Sequence, residues 1–157
     1  MRLAEFFTSQ PDRLWPLALQ MGIGHAVGPL PWEVQAHGEK PWELMPLIRM
    51  KQRYADHGLE LVVIENMPPS NRIKLGLPGR EEEIETMQQL IANMGAAGIP
   101  VLCYNFMAQM GWFRTSTTTR TRGGALVSSY DHALMKDAPL TEAGVVGESQ
   151  LWENLHY

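Results

Sequence analysis

The sequence predicts an α/β protein built on a parallel sheet, and three observations carry that prediction. Glycines recur at one kind of junction: Gly22, Gly58 and Gly98 stand 36 and 40 residues apart, each between a helix-like stretch and a short apolar run. The runs are nearly continuous in apolar residues, as strands covered on both faces are. Between them lie longer segments with apolar residues at helical spacing. Strands alternating with helices at this period make βα units, whose strands pair in parallel.

The elements follow in order. A first strand is expected over residues 3–7 and a second over 24–28, after the Gly22 junction. The helix Trp42–His57 repeats Leu44, Leu47, Ile48, Tyr54 and Ala55 at helical spacing, with Lys51 and Arg53 off the stripe. Pro46 falls in its first turn, where a missing N–H costs little. The third strand covers 60–65, Glu-Leu-Val-Val-Ile-Glu. The helix Arg80–Ala97 carries Ile84, Met87, Ile91 and Met94 on one stripe, and Glu81, Glu82 and Glu83 oppose the dipole at its start. The fourth strand covers 101–106, Val-Leu-Cys-Tyr-Asn-Phe. Residues 107–148 show no clear element and read as a long βα loop or insertion. Residues 149–157 read as the start of the next helix, with Leu151, Trp152 and Leu155 on one side. The whole of 1–157 is expected to form a single domain.

Composition narrows the function. Thirteen scattered basic residues against seventeen acidic ones leave a net charge of −4, which argues against a nucleic-acid partner. One cysteine excludes an internal disulfide framework and weakly favours a reducing compartment. The first fifteen residues lack the apolar run of a signal peptide, and no stretch suits a membrane span. The expected setting is soluble and cytoplasmic, with no membrane partner.

In parallel α/β folds, ligands meet the carboxyl ends of the strands. The 40-residue offset places Glu65 and Asn105 at equivalent strand ends, as polar residues closing apolar runs. Each can face a site or cap the following loop. Beyond them, a proline-punctuated loop carries Arg72 and Lys74, and Trp112 stands near Arg114. Arg114 suits bidentate capture of a carboxylate, or can lie over Trp112 as a surface cation. No histidine sits at metal-ligand spacing. His25 reads as a packed core residue, and His57 as a C-terminal helix residue favourable to the dipole. Cys103 alternates with Asn105 along its strand, where burial is expected to make the thiol inert. The methionines read as core filler.

The segments Ile73-Lys74-Leu75-Gly76, Cys103-Tyr104-Asn105-Phe106-Met107, Trp112-Phe113-Arg114-Thr115 and Leu151-Trp152-Glu153-Asn154-Leu155 together resemble the mannonate dehydratase family over roughly residues 40–157. Three positions depart from its pattern: Glu5-Phe6-Phe7-Thr8 replaces an Arg-Trp-aromatic-Gly stretch, Ser70 stands near a common His, and Gly111 replaces an Asp. The resemblance implies a (β/α)8 TIM-barrel type fold, of which this chain supplies about four βα units, a partial barrel. It further implies loss of water from D-mannonate to give 2-keto-3-deoxy-D-gluconate in hexuronate breakdown, with Mn2+ or Fe2+ as cofactor. The family's metal ligands and proton-transfer residues match positions beyond Tyr157, so no ligand set is expected within this chain. Its expected contribution is part of a sugar-acid pocket, with Glu65, Lys74, Asn105, Trp112 and Arg114 as substrate-binding residues. Two alternatives stay open: a sugar isomerase or epimerase on the same barrel, and a non-catalytic half-barrel. An eightfold barrel needs about 250 residues, so the four units are expected to have open edges that invite self-association.

Overall fold

The computed structural model describes residues 2–107 and 113–157. Four strands, β1 (Ala4–Phe6), β2 (His25–Gly28), β3 (Glu60–Glu65) and β4 (Val101–Cys103), form one sheet in the order β1-β2-β3-β4. All three pairings are parallel. The helices are α1 (Leu14–Gln20), α2 (Leu44–Asp56), α3 (Asn71–Leu75), α4 (Arg80–Ala97), α5 (His132–Met135) and α6 (Glu148–His156), with a 3-10 helix at Trp32–His37. The order βα-βα-βα-β in one parallel sheet is that of a partial TIM barrel.

Long periodic segments form as their patterns require. Helix α4 covers the expected span, and α2 begins two residues inside its own, with Pro46 in the first turn. All three junction glycines adopt positive φ (80°, 82° and 67°), which ends each helix without a Cβ clash. Lys51 on α2 donates to the carbonyls of Ala97 (2.7 Å) and Gly98 (2.9 Å), supplying a cation at the negative end of α4.

The core lies between the sheet and α1, α2 and α4. Buried Leu61 and Ile64 of β3 meet Leu47, Met50 and Tyr54 of α2, with Leu90 and Met94 of α4. Trp15 stacks on Tyr54 with ring centroids 4.4 Å apart. The buried Tyr54 hydroxyl donates to the Thr8 carbonyl at 2.8 Å, fixing the chain as it leaves β1. Helix α1, which carries Trp15, is the helix-like stretch expected before the Gly22 junction, for which the sequence set no bounds. Its seven residues bury only Trp15 and Ala18, too little to produce a helical period.

The opposite face of the sheet is open. Register aligns Phe6, Val27, Val63 and Val101 in one row across the four strands. Its two ends are the most open, Phe6 at 46% exposure and Val101 at 47%. Cys103 shares this face and is exposed, so the expected mid-strand burial of its thiol does not hold. Among the described residues, the core helices cover the other face.

Two further differences have physical causes. Strand β4 stops at Cys103, and the ladder pairs Glu65 with Cys103 rather than aligning it with Asn105. The first residue of β4 pairs with the fourth of β3, the stagger that tilted barrel strands require. Asn105 therefore lies beyond its strand. The segment 107–148 also contains structure: β5 (Ser116–Arg120) and β6 (Leu126–Ser129) form an antiparallel hairpin, followed by α5. The β5 residues Ser-Thr-Thr-Thr-Arg carry no polar–apolar alternation, so no strand signal reaches the sequence. Backbone pairing and a 2.7 Å hydroxyl contact between Thr119 and Ser129 hold the strand in place.

Candidate functional site at the end of β4

Leaving β3, the chain passes Asn66-Met67-Pro68-Pro69 and enters α3, a single short helix. Its start is held from a distance, because Glu83 on α4 accepts from the backbone N–H groups of Arg72 (2.9 Å) and Ile73 (3.1 Å). Lys74 lies in α3 and is only 6% exposed. Its ammonium donates to Asn105 Oδ1 at 3.0 Å, just past the end of β4. Among the described residues, no carboxylate stands within ion-pairing distance of that ammonium. Burial pushes the Lys74 ammonium below the ordinary lysine range, and the charge of Glu83 opposes that shift in part.

The floor of the site comes from α6. Asn154 is 9% exposed, and its Nδ2 donates to the Lys74 carbonyl at 2.9 Å. Gly76, at φ 65°, passes so close that a Cβ there would lie 2.6 Å from Asn154 Oδ1. Helix α6 is further held by the Arg80 guanidinium, 3.3 Å over the Tyr157 ring, and by Tyr157 Oη donating to Glu81 at 2.8 Å. Among the described residues, the buried polar and charged side chains are Ser70, Lys74 and Asn154. All three lie at this one junction. The buried side of α6 is thus not the expected apolar one: Trp152 is 54% exposed, while Asn154 faces α3.

The expected site residues separate into groups. Lys74 and Asn105 come together directly. Glu65 is exposed at the end of β3, in register with Cys103. Arg114 is tied toward the hairpin, donating to Ser128 Oγ at 3.0 Å and to the Phe113 carbonyl at 2.9 Å. Trp112 lies outside the described residues. Among the histidines, His25 is half-buried rather than enclosed, 3.3 Å from Glu60. His57 stands where expected at the end of α2, its Nδ1 2.9 Å from the Arg53 carbonyl. Sequence reasoning missed Asn154 and Glu83. Asn154 offers one sequence signal: a polar residue set among Leu151, Trp152 and Leu155.

A cleft of about 340 Å3 opens beside this junction, bounded by Ile84, Met87 and Ile91 of α4, by Leu102 and by Leu155. Leu102 and Tyr104 reach it from the helix side of β4, the face opposite Cys103. Its walls are mostly apolar, with Ser70, Lys74 and Asn154 on the side of the junction, and suit a packed side chain or helix better than a sugar acid, whose hydroxyls need polar partners.

Among the described residues, no group of three His, Cys, Asp or Glu side chains is placed to hold a metal ion. The residues present therefore do not fit the divalent metal that the resemblance implies, and no step is assigned to one. No helix among the described residues is long and apolar enough to cross a membrane.

The family model for D-mannonate dehydratase (UxuA) matches residues 22–157. A mannonate dehydratase of Thermotoga neapolitana is 38% identical over 95 residues, covering 60% of this chain and 26% of that protein. One of Streptococcus pneumoniae is 35% identical over 140 residues, covering 74% of this chain and 38% of that protein. The crystal structure of mannonate dehydratase from Streptococcus suis serotype 2 superposes with a TM-score of 0.82 at 26% identity, over 100% of this chain and 48% of that one. The chain thus spans well under half the length of these curated relatives. With most of its residues matched by the family model and all of them by the fold, the chain belongs to the mannonate dehydratase family.

Proposed function

We propose that this chain supplies part of the substrate pocket of an enzyme that removes water from D-mannonate to give 2-keto-3-deoxy-D-gluconate, a step of hexuronate breakdown. The reaction takes the proton from C2, expels the C3 hydroxyl as water, and leaves an enol that becomes the 2-keto acid. Negative charge builds on the substrate carboxylate as C2–H breaks, so a fixed cation there favours the transition state. The observation that carries the reading is the buried Lys74 ammonium, aimed at Asn105 beyond the carboxyl end of β4. An ammonium has three protons, and its bond to Asn105 leaves two for carboxylate or hydroxyl oxygens.

The other assignments extend from that anchor. Asn105 would hydrogen-bond a hydroxyl, Glu65 would face the sugar from the neighbouring strand, Arg114 would take carboxylate or hydroxyl oxygens, and Trp112 would wall off solvent. A divalent metal such as Mn2+ or Fe2+ would be held by residues outside those described. A cytoplasmic setting belongs to the same reading, supported by a single cysteine that leaves no internal disulfide to form.

Calorimetric titration of the chain with D-mannonate, with D-mannose as the uncharged control, tests the pocket. Saturable binding of the acid, weakened at least about tenfold in Lys74→Met and for the neutral sugar, is the expected result; one charged hydrogen bond is worth about that much. Equal binding of acid and sugar, or an unchanged Kd in the variant, would refute the role of Lys74.

A further inference from the structure

Lys74 is gripped from both ends of the segment that follows β4. Asn105, just before that segment, accepts from the Lys74 ammonium; Asn154, just after it, donates to the Lys74 carbonyl. The two contacts bridge sequence separations of 31 and 80 residues. The backbone contact is a buried amide–carbonyl bond, the kind whose loss leaves an orphaned carbonyl and shifts the residue that bears it. Gly76 has no side chain where Asn154 packs, so the amide reaches the α3 backbone without an intervening atom. Glu83 secures the other end of α3 through two N–H groups. A five-residue helix has little stability of its own. The direction of the Lys74 side chain is therefore set by what holds α3 from outside.

We propose that Asn154 is a positioning residue: by holding the Lys74 carbonyl it sets the Lys74 ammonium toward Asn105, so that recognition of an anionic ligand by Lys74 depends on the docking of α6. Asn154 does not itself meet the ligand. Both of its polar groups face α3, with Nδ2 on the Lys74 carbonyl and Oδ1 against Gly76. The ligand part of this proposal rests on the reading of Lys74 as the anchor for a sugar acid; the positioning part does not.

The experiment uses the whole chain with 13Cε-labelled lysine, whose four lysines give four signals, and compares wild type with Asn154→Asp. Aspartate matches asparagine in shape but, while ionised, has no proton to donate to the carbonyl. In wild type, Lys74 is expected to titrate below the ordinary lysine range. In Asn154→Asp, its midpoint is expected to rise toward that range and its Kd for D-mannonate to weaken roughly fivefold to tenfold, the scale of one misplaced hydrogen bond. Lowering the pH until the introduced carboxylate protonates is expected to restore the wild-type Lys74 chemical shift, which general loosening of the fold would not do. A Lys74 signal that titrates identically in both proteins overturns the proposal. Absence of D-mannonate binding in wild type would instead refute the pocket reading, and the lysine titration would still decide the role of Asn154.

Discussion

Gly76→Ala probes how tightly α6 seats on α3. At φ 65° an alanine sits in the left-handed region, costing about 1–2 kcal/mol. The new Cβ would also stand 2.6 Å from Oδ1 and 3.2 Å from Cγ of Asn154, too close to keep. Asn154 is buried and cannot swing into solvent without giving up its bond to the Lys74 carbonyl. Orphaning that carbonyl costs a further 1–3 kcal/mol or so, for a total of roughly 2–5 kcal/mol. Gly22→Ala is the internal control: φ is 80°, yet no atom lies within 4 Å of its added Cβ, so only the backbone cost of about 1–2 kcal/mol applies. Urea melts followed by circular dichroism give both values. In an Asn154→Ala background the packing part has nothing to displace, and Gly76→Ala is expected to cost no more than Gly22→Ala. If Gly76→Ala and Gly22→Ala destabilise the wild-type chain equally, the close seating of Asn154 is refuted.

Other consequences concern charge and exposure. Because burial lowers the Lys74 midpoint, the unfolded chain keeps that proton to higher pH than the folded one, and stability rises with pH as the folded form releases it, up to the unfolded value near 10.5. The cost of the buried ammonium is thus fully present below the folded midpoint. Lys74→Met removes it together with the Asn105 bond, whose acceptor lies on an exposed side chain that water can serve, so the net change at neutral pH is expected to stay within about 1 kcal/mol. Stability curves of wild type and variant that run parallel from pH 7 to 10.5 would contradict this. Cys103 is expected to react with a disulfide reagent in dilute solution at the rate of an exposed thiol. A strongly protected thiol in the native chain would show that the open sheet face is covered.

The readable and unreadable parts of the site divide at particular residues. Lys74 and Asn105 were legible as polar residues closing or following apolar runs, because strand ends in a parallel sheet gather on one side. Their direct contact was not, since it depends on how far β4 slides along β3. The 40-residue spacing equates Glu65 with Asn105, while the ladder pairs Glu65 with Cys103. Glu83 read as one of three charges opposing a helix dipole, and it does lie in the first turn of α4. Its reach back to α3 is a matter of packing. Leu151, Trp152 and Leu155 read as the apolar side of α6, yet it is the polar neighbour Asn154 that is buried, because its amide reaches the α3 backbone.

By itself the sequence determined what depends on near neighbours: helices α2 and α4, the glycines that end them, the four parallel strands, and through its motifs the family. Those features follow from periodicity and backbone preference, which act over a few residues. The tertiary structure decided the stagger of β4, the hairpin of 116–129, the open row from Phe6 to Val101, and the clamp on Lys74. Each of these depends on groups brought together across tens of residues, and a hydrogen bond spanning 80 residues leaves no periodic trace in the chain.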